Sequence, residues 1–76
     1  MKKVEIYTSN SCGYCSTAKD YFKENNIEYV EYNVSENPQY RKDLMKKGYM
    51  SVPVIIIEGE EVIGFDKNRI EKLLES

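Results

Sequence analysis

A chain of 76 residues, 41% apolar and 32% charged, with 11 basic and 13 acidic side chains for a net charge of -2, has room for one domain over residues 1–76 and a small core. Its charges are interspersed, which excludes the basic footprint of a nucleic-acid binder, and no run approaches the roughly 18 apolar residues of a membrane span. Met1-Lys2-Lys3 opens like a signal peptide, but Glu5 and the polar Thr8-Ser9-Asn10-Ser11 leave no export segment, so the chain is expected in the cytoplasm.

Val4-Glu5-Ile6-Tyr7 alternates apolar and polar residues until the polar run begins, which predicts a strand over residues 3–7. Residues 11–16, Ser-Cys-Gly-Tyr-Cys-Ser, follow at the strand end. Beyond them Tyr14, Ala18, Tyr21 and Phe22 fall on one helical face, with Lys19, Asp20, Lys23 and Glu24 elsewhere, until Asn25-Asn26 ends the helix. Residues 27–34 are rich in β-branched residues and tyrosine, with Val30, Tyr32 and Val34 on one face, and predict a second strand parallel to the first.

Asn37-Pro38 supplies an N-cap and a first-position proline for a helix over residues 38–47, with a modest stripe of Tyr40, Leu44 and Met45 and a stop at Gly48. Lys46-Lys47 reads as a solvated helix end. Val54-Ile55-Ile56-Ile57 and Glu61-Val62-Ile63 flank Glu58-Gly59-Glu60, the pattern of a tight hairpin, and the unbroken apolar run marks a strand buried on both faces. Gly64-Phe65-Asp66 then ends the last strand, and Asp66 can cap a helix carrying Ile70, Leu73 and Leu74. The order is βαβαββα. Right-handed crossovers give an α/β architecture, a four-stranded mixed sheet flanked by helices.

With no histidine or tryptophan and only Cys12 and Cys15 as thiols, any redox or metal chemistry must pass through residues 11–16. A helix starting there brings residues three apart onto one face, so the pair can close a small disulfide ring, and free N–H groups with the helix dipole favour a thiolate at the first sulfur. Two cysteines this close would staple almost nothing, which favours reactive over structural thiols. Zinc would need four ligands where the chain offers two, making a dimer or an outside ligand compulsory.

Taken together, Ile6-Tyr7-Thr8, Cys12-Gly13-Tyr14-Cys15, Ala18-Lys19, Ser51-Val52-Pro53 and Gly64-Phe65-Asp66 resemble a glutaredoxin of the thioredoxin superfamily, over nearly the whole chain. The resemblance implies the thioredoxin fold and a dithiol oxidoreductase that reduces protein disulfides or glutathione mixed disulfides. It implies Cys12 as the nucleophile, with the N–H groups of Tyr14 and Cys15 near its sulfur, and Cys15 as the more buried resolving thiol beside Ala18. Lys19 either adds positive potential or is simply solvated. It further implies a cis Val52-Pro53 bond whose preceding residue pairs with bound peptide or glutathione. Tyr14 either shapes the substrate rim or packs on Ala18. Gly64, Phe65 and Asp66 correspond to the turn that holds the γ-glutamyl carboxylate of glutathione, although a strand break plus N-cap explains the same residues.

Three departures touch the electron source. Ser9-Asn10 stands where many glutaredoxins have a lysine, Lys67 replaces the second residue of their usual Asp-Asp pair, and Gly13 replaces a common proline. Gly64-Phe65 before a short helix also resembles the NrdH-type redoxins, which are reduced by thioredoxin reductase with NADPH. Some glutaredoxins lacking the proline hold an iron-sulfur cluster between two subunits, with glutathione completing the ligands. The leading expectation is a monomer without a tightly bound cofactor, whose partners are protein disulfides and either glutathione or a thioredoxin-reductase-type enzyme.

Overall fold

The computed structural model describes residues 3–75. Its elements run β1 (Val4–Thr8), α1 (Gly13–Glu24), β2 (Val30–Asn33), α2 (Pro38–Lys46), β3 (Val54–Ile57), β4 (Glu60–Ile63) and α3 (Lys67–Glu75). The sheet order is β2-β1-β3-β4, with β1 and β2 parallel and the other neighbours antiparallel. This is the expected mixed sheet and the thioredoxin fold.

Side-chain alternation sorts the core into two layers. Val4, Ile6, Ile55, Ile57 and Val62 point to one face, where Ala18 and Phe22 of α1 and Ile70 of α3 cover them. Tyr7, Val54 and Ile56 point to the other, where Leu44 of α2 and Val34 close the layer. All four residues of β3 are buried because it lies inside the sheet with helices on both sides. The 58–59 turn has positive φ at both residues, 50° at Glu58 and 85° at Gly59, which is the primed geometry whose twist matches the hairpin.

The second strand is shorter than the sequence suggests. Val30–Asn33 pairs in register with Glu5–Thr8, and the Val34 N–H donates to the Thr8 carbonyl at 2.8 Å just beyond. Ile27 and Tyr29 instead pack beside the α1 layer from an irregular lead-in. Of the anticipated stripe, Val34 and Tyr32 face the α2 layer, while Val30 is half exposed at the sheet edge. In α2 only Leu44 is buried and Met45 stands out in solvent. Lys47 is the C-cap of α2 rather than its last helical residue, and its Nζ lies 3.9 Å from Glu61.

Candidate active site

At the C-terminal end of β1 the chain turns, with the Cys12 N–H donating to the Ser9 carbonyl at 3.4 Å, and enters α1 with Cys12 as N-cap in extended geometry. Serine, threonine or asparagine usually fills that role. Here the Cys12 sulfur does so, accepting from the Cys15 N–H at 3.1 Å. The Tyr14 N–H, also anticipated as a donor, makes no such bond. Cys12 and Cys15 form a disulfide, with their Cα atoms 5.3 Å apart. Cys15 is 1% exposed, whereas Cys12 is only partly covered. The first turn of α1 carries no acidic side chain, so nothing there opposes negative charge at the helix start.

Beneath this turn lies a polar clamp that the sequence reading did not single out. The hydroxyl of Thr8, fully buried, donates to Glu31 Oε2 at 2.7 Å, and Lys19 Nζ reaches the same oxygen at 3.0 Å. The Thr8 hydroxyl foremost, and then Lys19, hold the Glu31 carboxyl below its usual range against the opposing effect of burial. Thr8 thereby ties β1 to β2, and Lys19 ties α1 to both. Lys19 is accordingly neither a free positive charge nor merely solvated. A signal for Thr8 was present: strand alternation puts a polar residue in line with Val4 and Ile6 on a buried face. Glu31 had no such signal.

The Val52-Pro53 bond is cis, as the resemblance implied, and Pro53 is buried. Its carbonyl accepts from the Gly64 N–H at 2.8 Å, which brings Val52 and Pro53 together with the Gly64-Phe65-Asp66 turn. Gly64 has φ 75°, where an L side chain is strained. Phe65 turns inward, its ring edge-on to Tyr21 with centroids 5.7 Å apart. Asp66 is exposed, and its carboxylate accepts from the Arg69 N–H at 3.3 Å, a cap of α3 as anticipated. Lys67 Nζ sits 5.9 Å above the Tyr21 ring and 4.0 Å from Glu71. Tyr14 is 71% exposed, so it is not packed on Ala18. Among the described residues no hydrogen bond joins either cysteine to Val52-Pro53 or to residues 64–66.

Between α2 and residues 49–52 runs a groove of about 260 Å³, lined among others by Ser9, Arg41, Met45, Met50 and Val52. Among the described residues no cluster of three or more acidic, cysteine or histidine side chains is placed to hold a metal ion, and no helix is long and apolar enough to cross a membrane.

A partly exposed cysteine at a helix start, disulfide-bonded to a buried one, is an arrangement for thiol-disulfide exchange, and comparison with known proteins agrees. The family profile described as glutaredoxin matches residues 4–62. A glutaredoxin-like 8.6 kDa protein in the rubredoxin operon of Clostridium pasteurianum is 37% identical, over 95% of this chain and 97% of that protein. The crystal structure of the T8A mutant of the thioredoxin-like protein BC3987 superposes with a TM-score of 0.89 at 34% identity, covering 99% of this chain and 97% of that one. The glutaredoxin-like NrdH-redoxin of Escherichia coli gives a TM-score of 0.84 at 27% identity, with 93% of each chain covered. The chain belongs to the glutaredoxin family, whose members are thiol-disulfide oxidoreductases.

Proposed function

We propose that this chain is a monomeric dithiol electron donor, one domain acting in the cytoplasm, that reduces disulfides in protein substrates through Cys12 and Cys15. The observation that carries the reading is the unequal burial of the two sulfurs, since only Cys12 is open to a partner. The Cys12 thiolate attacks one sulfur of the substrate disulfide; that S–S bond breaks, and the second substrate sulfur leaves with the electron pair as a thiolate. Cys15, having lost its proton, then attacks the Cys12 sulfur of the mixed disulfide. A bond forms between Cys12 and Cys15, and the first substrate sulfur departs as a thiolate. Two electrons pass to the substrate, and the Cys12 to Cys15 bond is left for a reductant to reopen. The N-terminus of α1 and the Cys15 N–H stabilise the attacking sulfur. Exposed Tyr14, the open backbone of Val52 before Pro53, and the turn at Gly64, Phe65 and Asp66 form the rim against which substrate rests.

For the reductant, a thioredoxin-reductase-type enzyme with NADPH is the reading that specific residues favour over glutathione. Lys67 puts a cation at the first residue of α3, where an ammonium group of glutathione would be repelled. Ser9 and Asn10 offer no cation to a carboxylate, and Asn10 is occupied, its N–H on Ser35 and its side-chain oxygen on Asn33. The NrdH-redoxin of E. coli has a thioredoxin-like activity profile, which supports the same reading. A zinc ion or iron-sulfur cluster would require ligands from outside this chain, since Cys15 is buried. The test is a paired turnover assay with NADPH and a protein disulfide, supplying either glutathione with its reductase or thioredoxin reductase alone. Turnover in the second arm is expected; turnover in the first arm only assigns the electron source to glutathione.

A further inference from the structure

The geometry points to Asn33 as a positioning residue for Cys12: acting through Asn10, it holds the turn that precedes the nucleophile and so keeps the sulfur over the start of α1. This rests on the oxidoreductase reading above and extends its machinery to a residue 21 positions away in sequence from Cys12.

Residues 9–11 lead from β1 to Cys12, and the bond that closes their turn is weak. The Cys12 N–H meets the Ser9 carbonyl at 3.4 Å, longer than the roughly 2.7–3.2 Å of a good N–H to O bond. Shorter ties reach this segment from residues 33–35. The Val34 N–H donates to the Thr8 carbonyl at 2.8 Å, the Asn10 N–H donates to the Ser35 hydroxyl at 3.1 Å, and Asn33 Nδ2 donates to Asn10 Oδ1 at 2.9 Å. The sheet puts Asn33 in place for this, since it stands opposite Thr8 at the last rung of the β1–β2 ladder.

Both ends of the Asn33 amide are engaged, which fixes its orientation. Its Oδ1 accepts from the Ser35 N–H at 2.8 Å and the Glu36 N–H at 3.2 Å, an Asx turn that bends the chain out of β2. Only the oxygen end can take those two donors, so Nδ2 faces Asn10, and Asn10 presents its own oxygen in return. The pair forms a splint from the end of β2 to the residue two before Cys12. Asn10 and Asn33 line the same polar hollow as Lys19 and Glu31, which sets the splint beside the Thr8–Glu31–Lys19 clamp without sharing its bonds.

The sulfur depends on this splint more than the core does. The bonds at Asn10 are exposed and touch none of the buried apolar residues. The Cys12 sulfur is the N-cap of α1, and its bond from the Cys15 N–H requires the extended Cys12 backbone to deliver it there. A loosened turn spreads the sulfur over positions away from that N–H and the helix start. Less of the thiol is then ionised, and less of the thiolate is aimed at a partner.

The test is the pH profile of Cys12 alkylation by iodoacetamide in the reduced protein, with the site confirmed by peptide mass mapping. It compares the parent with Asn33→Ala, Asn33→Ser, Asn10→Ala and the double variant Asn10→Ala/Asn33→Ala, none of which alters a charge. Asn33→Ala and Asn10→Ala should each react about threefold more slowly near neutral pH, with the midpoint moved upward and the parent rate regained where the thiol is fully ionised. The double variant should be no slower than either single one, because both remove the same bond. Asn33→Ser keeps an acceptor for the turn but cannot reach Asn10, so it should be as slow as Asn33→Ala. An unmoved profile in Asn33→Ala or Asn10→Ala overturns the assignment. So does parent-like behaviour of Asn33→Ser, which would leave Asn33 only its own turn, or a double variant in which the two losses multiply. Should Asn33→Ala not fold, Asn10→Ala decides by the same midpoint. Single-turnover reduction of insulin by the parent tests the oxidoreductase reading separately: its absence would sink that reading, while the alkylation profiles would still show whether Asn33 sets the state of the sulfur.

Discussion

The two flanks of the Cys12 turn are built oppositely. On the β2 side, Thr8, Glu31 and Lys19 lock three elements through one carboxylate oxygen, over a core in which Ile6, Ala18 and Phe22 are wholly buried. On the α2 side, residues 50–52 carry unpaired backbone, two exposed methionines and an unpartnered arginine. A nucleophile needs fixed geometry, whereas a surface that meets several protein partners gains from adaptable groups that cost little to desolvate. Changes on the first flank should therefore appear in stability and intrinsic thiol chemistry, and changes on the second in partner choice.

The largest effects are at the thiols themselves. Cys12→Ser should abolish reductase activity, by at least about 10³-fold in a coupled NADPH assay, because the other thiol, Cys15, is buried and out of reach of a substrate disulfide. Cys15→Ser should stop turnover of protein disulfides at the mixed-disulfide stage, visible as a trapped covalent adduct by mass spectrometry. Full activity of the Cys12→Ser protein would dispose of the mechanism. Next is the core of the fixed flank. Phe22, 0% exposed, packs with Tyr29 at 5.6 Å between centroids, and Phe22→Ala should cost about 3–5 kcal/mol. In a domain of this size that approaches the whole stability, so thermal denaturation should show no folded baseline at 37 °C.

The sequence carried most of the fold because its local signals agree with one another. Asn37-Pro38 caps α2, with the Asn37 oxygen taking the Gln39 N–H at 2.9 Å, and the run from Val54 to Ile57 can only be a strand covered on both faces. The thiol pair was legible for the same reason: strand, Cys-x-x-Cys and amphipathic helix stand in order. The polar clamp was not, since Glu31 and Lys19 are 12 residues apart and meet only once β2 lies beside β1. Nor was the inward turn of Phe65, which depends on where α1 places Tyr21. Long-range pairings of ordinary surface residue types leave no periodic trace.

The clamp gives the next prediction. Glu31→Gln or Thr8→Val should each cost about 1 kcal/mol, a drop of roughly 4–8 °C in the melting temperature. Because the Glu31 carboxyl is held below its usual range in the fold, its contribution is present above the unfolded-state value and is lost as pH falls through the lowered folded one. The gap in melting temperature between the parent and Glu31→Gln should accordingly close on acidification below the ordinary carboxylate range. A gap independent of pH would mean that Glu31 stabilises by packing alone.

Tyr14 should give the smallest change in stability, and it separates the flanks most sharply because it stands on the fixed helix yet faces outward. Packing on Ala18 would make its removal cost several kcal/mol, as for other buried aromatics. With 71% of its surface exposed, Tyr14→Ser should instead leave stability within about 0.5 kcal/mol, since neither helix propensity nor burial changes much. Its loss should slow reaction with a protein disulfide by a few fold while leaving the rate of Cys12 alkylation by iodoacetamide unchanged, which distinguishes a partner contact from an effect on the sulfur. A slower alkylation would place Tyr14 with the fixed flank after all, and the division would then run through α1 instead of around it.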